Sequence, residues 1–179
     1  MSKLPMNLAN KITITRIFLI PVYFVLMGIG GNAFRYAAAA VFAIASFTDL
    51  LDGQIARKRG LVTDFGKFMD PIADKLLVLL PFILLAAQEG GTIDLWAVLI
   101  MVAREITVSG FRLVAVTRNI VVSADWSGKI KTVVQMCSVL LLTLGFAWGW
   151  YLAWASALLS LYSGIEIIVR NRQVLEEGA

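Results

Sequence analysis

Apolar residues come in long blocks separated by short polar interruptions, at about 14–29, 35–51, 68–88, 95–116, 131–148 and 151–169. Each block approaches the roughly 20 residues a helix needs to cross the hydrocarbon core of a bilayer. Together they consume nearly all of the 179 residues and leave only short connections. The pattern predicts an all-α integral membrane protein, a six-transmembrane-helix bundle forming one domain over 1–179, with a short interfacial N-terminal segment at 1–13.

Charge then orients the bundle. With the N-terminus inside, the inner segments collect Lys3, Lys11, Arg57, Lys58, Arg59, Lys67, Arg118, Lys129, Arg170 and Arg172, whereas the outer turns hold Arg35. The excess of cations on one side predicts that both termini are cytoplasmic. Glu89 and Asp94 fall on an outer turn, and Trp148, Trp150, Tyr151 and Trp154 cluster where an interfacial aromatic belt is expected. The run after Arg16 lacks a small-residue cleavage pattern, so no removable signal peptide is expected. A net charge of +4 suits anionic lipid headgroups or phosphate substrates and argues against a nucleic-acid partner.

Composition also excludes chemistries. The single cysteine, Cys137, allows no internal disulfide and reads as a small core residue. There is no histidine, which removes a Ser-His-Asp triad, a histidine base and the usual His/Cys zinc sites. Carboxylates or a lysine must do any acid–base work.

Against this background the segment FTDLLDGQIARKRGLVTDFGKFMDPIADK stands out, because it sets Asp49, Asp52, Asp70 and Asp74 in or beside apolar runs. A charge at bilayer depth costs about 2.5 to 3.5 kcal/mol even on lenient scales. Asp49, Asp52, Gly53 and Ala56 share one helix face, and Gly66, Asp70 and Asp74 share another. The polar, basic link from Gln54 to Phe65 would let the two helices fold back so that the acidic faces converge. Converging carboxylates cannot all ionise alone. Oxygen-only ligation favours Mg²⁺, Mn²⁺ or Ca²⁺, and two such ions about 3.5 to 4 Å apart suit an in-line phosphoryl displacement. Gly53, Gly66 and Ala56 would let a nucleotide diphosphate approach the backbone, with Arg57 beside it. The plainer alternative pairs the aspartates with Lys67, Lys75, Arg57 and Arg59 as juxtamembrane salt bridges; four acids on two matched faces with two glycines between them favour the metal site.

The sequence Asp49-x2-Asp52-Gly53-x2-Ala56-Arg57-x8-Gly66-x3-Asp70-x3-Asp74 resembles the signature of the CDP-alcohol phosphatidyltransferases, matching it without departure. The resemblance implies a six-helix membrane fold, usually dimeric, that moves a phosphatidyl group from a CDP-linked lipid to an alcohol and releases CMP. It implies that Asp49, Asp52, Asp70 and Asp74 bind Mg²⁺ or Mn²⁺, two ions in all, and that Asp74 is the catalytic base. It places Asp52, Gly53, Ala56, Arg57 and Gly66 against the CDP-lipid, and brings Asn10, Thr13 and Arg16 to the nucleotide or the mouth of the metal site. An interfacial amphipathic start to the first helix explains those three residues equally well.

The acceptor must be read from other polar residues. Arg104 and Arg112 lie eight apart, about 80° in helical projection, so both can face one cavity. Arg118 follows, and Lys129 and Lys131 open the next apolar block. Such a set can surround a phosphate dianion. Lys129 and Lys131 are about 200° apart and cannot both point inward; Lys129 is the expected one. Pairing of Glu105 with Arg112, and of Glu166 with Arg170, is the competing use of these charges. The stretches AREITVSGFR, GKIKT and NLANKITITR are similar to those of bacterial phosphatidylglycerophosphate synthases, which makes Arg104, Arg112, Arg118 and Lys129 the expected glycerol-phosphate site. One departure is Ala9, where many relatives carry proline. The likeness implies a homodimer in the bacterial inner membrane, facing the cytoplasm, with CDP-diacylglycerol and sn-glycerol 3-phosphate as substrates and membrane lipids around it.

Three other readings compete. A small cation transporter would spread its carboxylates along a path rather than at one level. An aspartate-rich prenyltransferase would carry its acidic motifs on well-separated helices of a longer chain. Another acceptor, such as inositol phosphate, serine or phosphatidylglycerol, would keep the fold and the donor chemistry. Gly145 and Gly149 have GxxxG spacing but read as an outer turn rather than a dimer seam.

Overall fold

A computed structural model describes the backbone of residues 8–59, 64–88, 90–118, 120, 122 and 126–176, and the side chains of 13–48, 69–88, 90–118, 120, 122 and 126–174. Six long helices follow in order, α1 (Leu8–Ile29), α2 (Asn32–Arg59), α3 (Asp64–Ala87), α4 (Leu95–Thr117), α5 (Trp126–Leu144) and α6 (Trp148–Arg170), and a single turn, α7 (Gln173–Glu176), ends the set. Among the described residues there is no strand. By length and hydropathy, α5 and α6 are long and apolar enough to cross a membrane, and Thr13–Ile29 is a shorter apolar run.

The distribution of side chains is that of a membrane protein. Large apolar residues, among them Phe18, Trp96, Ile106, Leu113 and Ile165, cover the outside. Arg16, Arg104, Lys131, Gln135 and six Ser or Thr side chains among α4 to α6 and α1 are buried inside: Thr13, Ser138, Thr143, Ser156, Ser160 and Ser163. Such groups need partners in an apolar surrounding. Many hydroxyls satisfy themselves on the preceding turn, as Thr107 does on the Ala103 carbonyl at 2.8 Å and Thr143 on that of Val139 at 2.7 Å.

Two observations revise the boundaries. α2 runs on to Arg59, and α3 starts at Asp64, because the polar segment after Leu51 holds good helix formers. The link between the acidic faces is correspondingly shorter than the Gln54 to Phe65 connection. α5 begins at Trp126 rather than near 131 and stops at Leu144, where Gly145 takes φ +85, the left-handed conformation that glycine adopts without strain. The Arg35 guanidinium closes that helix end, donating from Nε to the Thr143 carbonyl at 3.1 Å and from Nη2 to that of Leu142 at 3.3 Å.

Helices α5 and α6 then pack back to back. Gly149 lies in the first turn of α6, and a Cβ there would stand 2.7 Å from Leu142 Cγ. Gly145 is in the turn, as its position beside Trp148 predicts, and Gly149 serves contact within the chain. At the same end of the bundle Asp94 accepts hydrogen bonds from the indoles of Trp150 and Trp154, both at 2.9 Å. These ties fix the ends of α4, α5 and α6 relative to one another. Cys137 is exposed, not a core residue, because the buried face of α5 is the one carrying Lys131, Gln135 and Ser138.

Candidate active site

Two polar regions occupy the interior. The first is where α1 packs on α3. Asp70 and Asp74 are one turn apart on α3, so their carboxylates emerge from one face. Thr13 Oγ1 donates to Asp70 Oδ1 at 2.5 Å, and Arg16 Nη1 to Asp74 Oδ1 at 2.6 Å. Arg16 is itself buried, whereas Asp74 is half exposed. The guanidinium is therefore sequestered by helix packing and holds a carboxylate that remains accessible. Thr13 and Arg16 are three apart on α1, which lets one face of that helix address two successive turns of α3.

Asp49, Asp52, Gly53, Ala56 and Arg57 belong to α2, and Gly66 to α3; their side chains, like that of Asn10, lie outside the described residues. Among the described residues no three carboxylates gather. The donors that are described fit a hard divalent cation: two carboxylates on one face, in a chain with no histidine.

The second region lies between α4, α5 and α6. Arg104 spans from α4 to α6, donating from Nε to the Ser160 carbonyl at 3.0 Å and from Nη2 to Ser163 Oγ at 2.8 Å. Its stem passes over Gly164, where a Cβ would stand 3.0 Å from Arg104 Cγ. The small buried face of α6, with Gly149, Ala153, Ala157, Ser160, Ser163 and Gly164, is what admits so large a side chain. Arg104 Nη1 meets Glu105 Oε1 at 2.8 Å, and the same oxygen accepts from the Lys131 ammonium of α5. Arg112 stands close enough to Lys131 for the two charges to repel, and its Nε is buried with no hydrogen-bond partner among the described residues.

A contact between α3 and α4 joins the regions. Lys75, next to Asp74, donates to Ser109 Oγ at 2.5 Å, and Ser109 in turn bonds the Glu105 carbonyl. Residues 105, 109 and 112 form one stripe of α4. The carboxylate face and the cationic cluster are therefore neighbours across a single helix contact.

The expected basic site is thus rearranged. Lys129 is exposed and lies 5.1 Å over the Trp126 ring, so the inward lysine is Lys131, which is only 6% exposed. This reverses the orientation expected for Lys129, since starting α5 at Trp126 places Lys131 in phase with Gln135, Ser138 and Leu142. That polar stripe at 131, 135 and 138 was the available signal for it. Arg118 does not join the cluster: it ends α4 and donates to the Val174 carbonyl of α7. Arg104 is committed to α6 and Glu105. Glu105 pairs with Arg104 and Lys131 rather than with Arg112, whereas Glu166 and Arg170 do pair, at 2.8 Å. Glu105 itself was read only as a neutralising charge, because its second cation comes from another helix.

Comparison with known proteins bears on this geometry. The family model described as CDP-alcohol phosphatidyltransferase matches residues 6–162. A Bacillus subtilis CDP-diacylglycerol--glycerol-3-phosphate 3-phosphatidyltransferase is 37% identical over 190 residues, covering 95% of this chain and 97% of its own. The Rickettsia typhi protein of the same name is 43% identical over 139 residues, 78% of this chain and 77% of its own. A probable phosphatidylglycerophosphate synthase of Mycobacterium tuberculosis is 37% identical over 172 residues, 92% of this chain and 81% of its own. With a carboxylate face set beside a cationic cluster in an all-helical bundle, and matches of this extent, the chain belongs to the CDP-alcohol phosphatidyltransferase family.

Proposed function

We propose that this protein transfers the phosphatidyl group of CDP-diacylglycerol to sn-glycerol 3-phosphate, giving phosphatidylglycerophosphate and CMP. Relatives that cover most of the chain carry that activity in their names. The observation that carries the acceptor is the charge of the second region. Among the described residues, Arg104, Lys131 and Arg112 against Glu105 leave a net +2 in buried or half-buried groups, and one guanidinium nitrogen there has no partner. An uncompensated charge of this kind is costly in an apolar setting. A phosphate monoester dianion balances it, with the Arg112 fork and the Lys131 ammonium as its direct contacts.

Asp74 takes the proton of the acceptor's primary hydroxyl. The oxygen attacks the lipid-linked phosphorus, a new O–P bond forms, and CMP departs with the electron pair of the broken P–O bond. Arg16 fixes the Asp74 carboxylate and Thr13 that of Asp70, so neither must be ordered as the reaction proceeds. Divalent cations, two Mg²⁺ or Mn²⁺ held by Asp49, Asp52, Asp70 and Asp74, would screen the diphosphate charge and stabilise the departing CMP. Gly53, Ala56, Arg57 and Gly66, with Asn10 near the opening, would receive the cytidine diphosphate. The Lys75 to Ser109 contact explains how the acceptor's phosphate can rest against α4 while its hydroxyl reaches α3.

The apolar exterior and the charge asymmetry support one six-span domain in the bacterial inner membrane, with both termini and the site on the cytoplasmic side; family membership is what supports a homodimer. The test is to supply purified protein with CDP-diacylglycerol and Mg²⁺ or Mn²⁺, and to offer glycerol 3-phosphate, glycerol, serine and inositol phosphate in parallel. CMP release with glycerol 3-phosphate is expected. Release with serine or inositol phosphate alone would overturn the acceptor.

A further inference from the structure

We infer that Glu105 is a positioning residue that governs acceptor binding by holding Lys131 in the phosphate pocket; this rests on the proposed use of glycerol 3-phosphate. Glu105 lies on α4 with a side chain only 12% exposed, and its Oε1 receives both the Lys131 ammonium and Arg104 Nη1. The carboxylate does not move easily. Arg104, which grips it, is tied to the Ser160 carbonyl and the Ser163 hydroxyl and lies against Gly164, so α6 fixes the pair from behind. Among the described residues Lys131 has no comparable anchor besides Glu105. It carries a compact charge on a flexible stem, and both Arg104 and Arg112 repel it.

Glu105 therefore exerts two opposing effects on an anionic acceptor. Its negative charge weakens phosphate binding by simple Coulomb repulsion. Its grip on Lys131 strengthens binding, because without it the ammonium would be driven from its place by the two guanidinium groups. The commitment of Arg104 to α6 decides between them. Arg104 cannot follow the phosphate, so the pocket depends on Arg112 and on a lysine that Glu105 must keep in line. Positioning outweighs repulsion.

The sign of one substitution separates these effects. Full-length protein is reconstituted in phospholipid nanodiscs, and KM is measured for glycerol 3-phosphate and for CDP-diacylglycerol in wild type, Glu105→Gln, Lys131→Met and the double variant. Glu105→Gln is expected to raise KM for glycerol 3-phosphate about tenfold and leave that for CDP-diacylglycerol within about twofold. In the Lys131→Met background the same change should give no further rise, and relief of the repulsion should leave KM equal or lower, because the favourable effect of the carboxylate acts through that lysine. A lowered KM for glycerol 3-phosphate in Glu105→Gln alone, an equal rise for both substrates, or full additivity in the cycle would overturn the inference. If Glu105→Gln does not fold, Glu105→Asp keeps the charge while retracting it from Lys131. It should raise KM for the acceptor by a smaller factor, and an unchanged value would contradict the role. Wild-type protein that uses only an acceptor without phosphate would instead overturn the reaction on which the inference rests, whatever the cycle gives.

Discussion

The two polar regions solve the same problem, charge in an apolar protein, in opposite ways. On α3, Asp70 meets Thr13 and Asp74 meets Arg16, and Asp74 stays half exposed while the buried Arg16 stabilises it. Between α4 and α5, two cations, Arg104 and Lys131, share the Glu105 carboxylate, and Arg112 adds a third positive charge close to Lys131. The first arrangement leaves an accessible anion, suited to the metal and proton chemistry proposed for it. The second leaves an excess of positive charge for an anion to fill. In the proposed reaction these complementary halves would set a cation-binding carboxylate face beside the seat of an anionic acceptor.

If that division holds, variants in the two regions should fail differently. The largest effect is expected from Asp74→Asn, which keeps the shape but cannot accept the acceptor's proton. We expect kcat to fall by about 10² to 10⁴, with CDP-lipid binding, measured by calorimetry in detergent, largely retained. Loss of binding along with turnover would recast Asp74 as chiefly a metal ligand and blur the comparison. Next comes Gly164→Ala, which touches no substrate. Its new Cβ would crowd Arg104 Cγ at 3.0 Å, and overpacking of this kind costs about 1 to 3 kcal/mol. Thermal unfolding should register the loss, and Arg104→Met in the same chain should relieve most of it. A full loss in the double variant would mean that Arg104 is not the strut described. The smallest effect is expected from Lys129→Ala. The exposed ammonium over Trp126 contributes about 0.5 to 1 kcal/mol at most, so KM for either substrate should change by less than about twofold. A large rise for glycerol 3-phosphate would restore Lys129 to the acceptor site.

The same contrast explains what could be read from the sequence. Asp70 and Asp74 were legible because their relation is local: four residues apart on a helix is one face wherever the helix packs. The number of long helices was legible for the same reason, since apolar length is a property of the segment. The basic cluster was not, because its geometry depends on partners far away in the chain. Nothing near Arg104 announces that Ser160 and Ser163 will claim it, and Arg118 looks as available as Arg112 until α7 brings the Val174 carbonyl to it. Lys129 and Lys131 differ only in phase, and phase requires the point at which α5 begins. The stripe of Lys131, Gln135 and Ser138 held that information, though it becomes decisive only once the opposite face, with Cys137, is seen to be exposed.

The central claim is that the carboxylate face serves the donor and the proton transfer, and that the cationic cluster chooses the acceptor. Its most direct test is steady-state CMP release by Arg112→Ala, with KM determined separately for each substrate. The account predicts a rise of about tenfold for glycerol 3-phosphate, worth about 1.4 kcal/mol, with the value for CDP-diacylglycerol within about twofold. An equal rise for both substrates, or a rise for CDP-diacylglycerol alone, would contradict it.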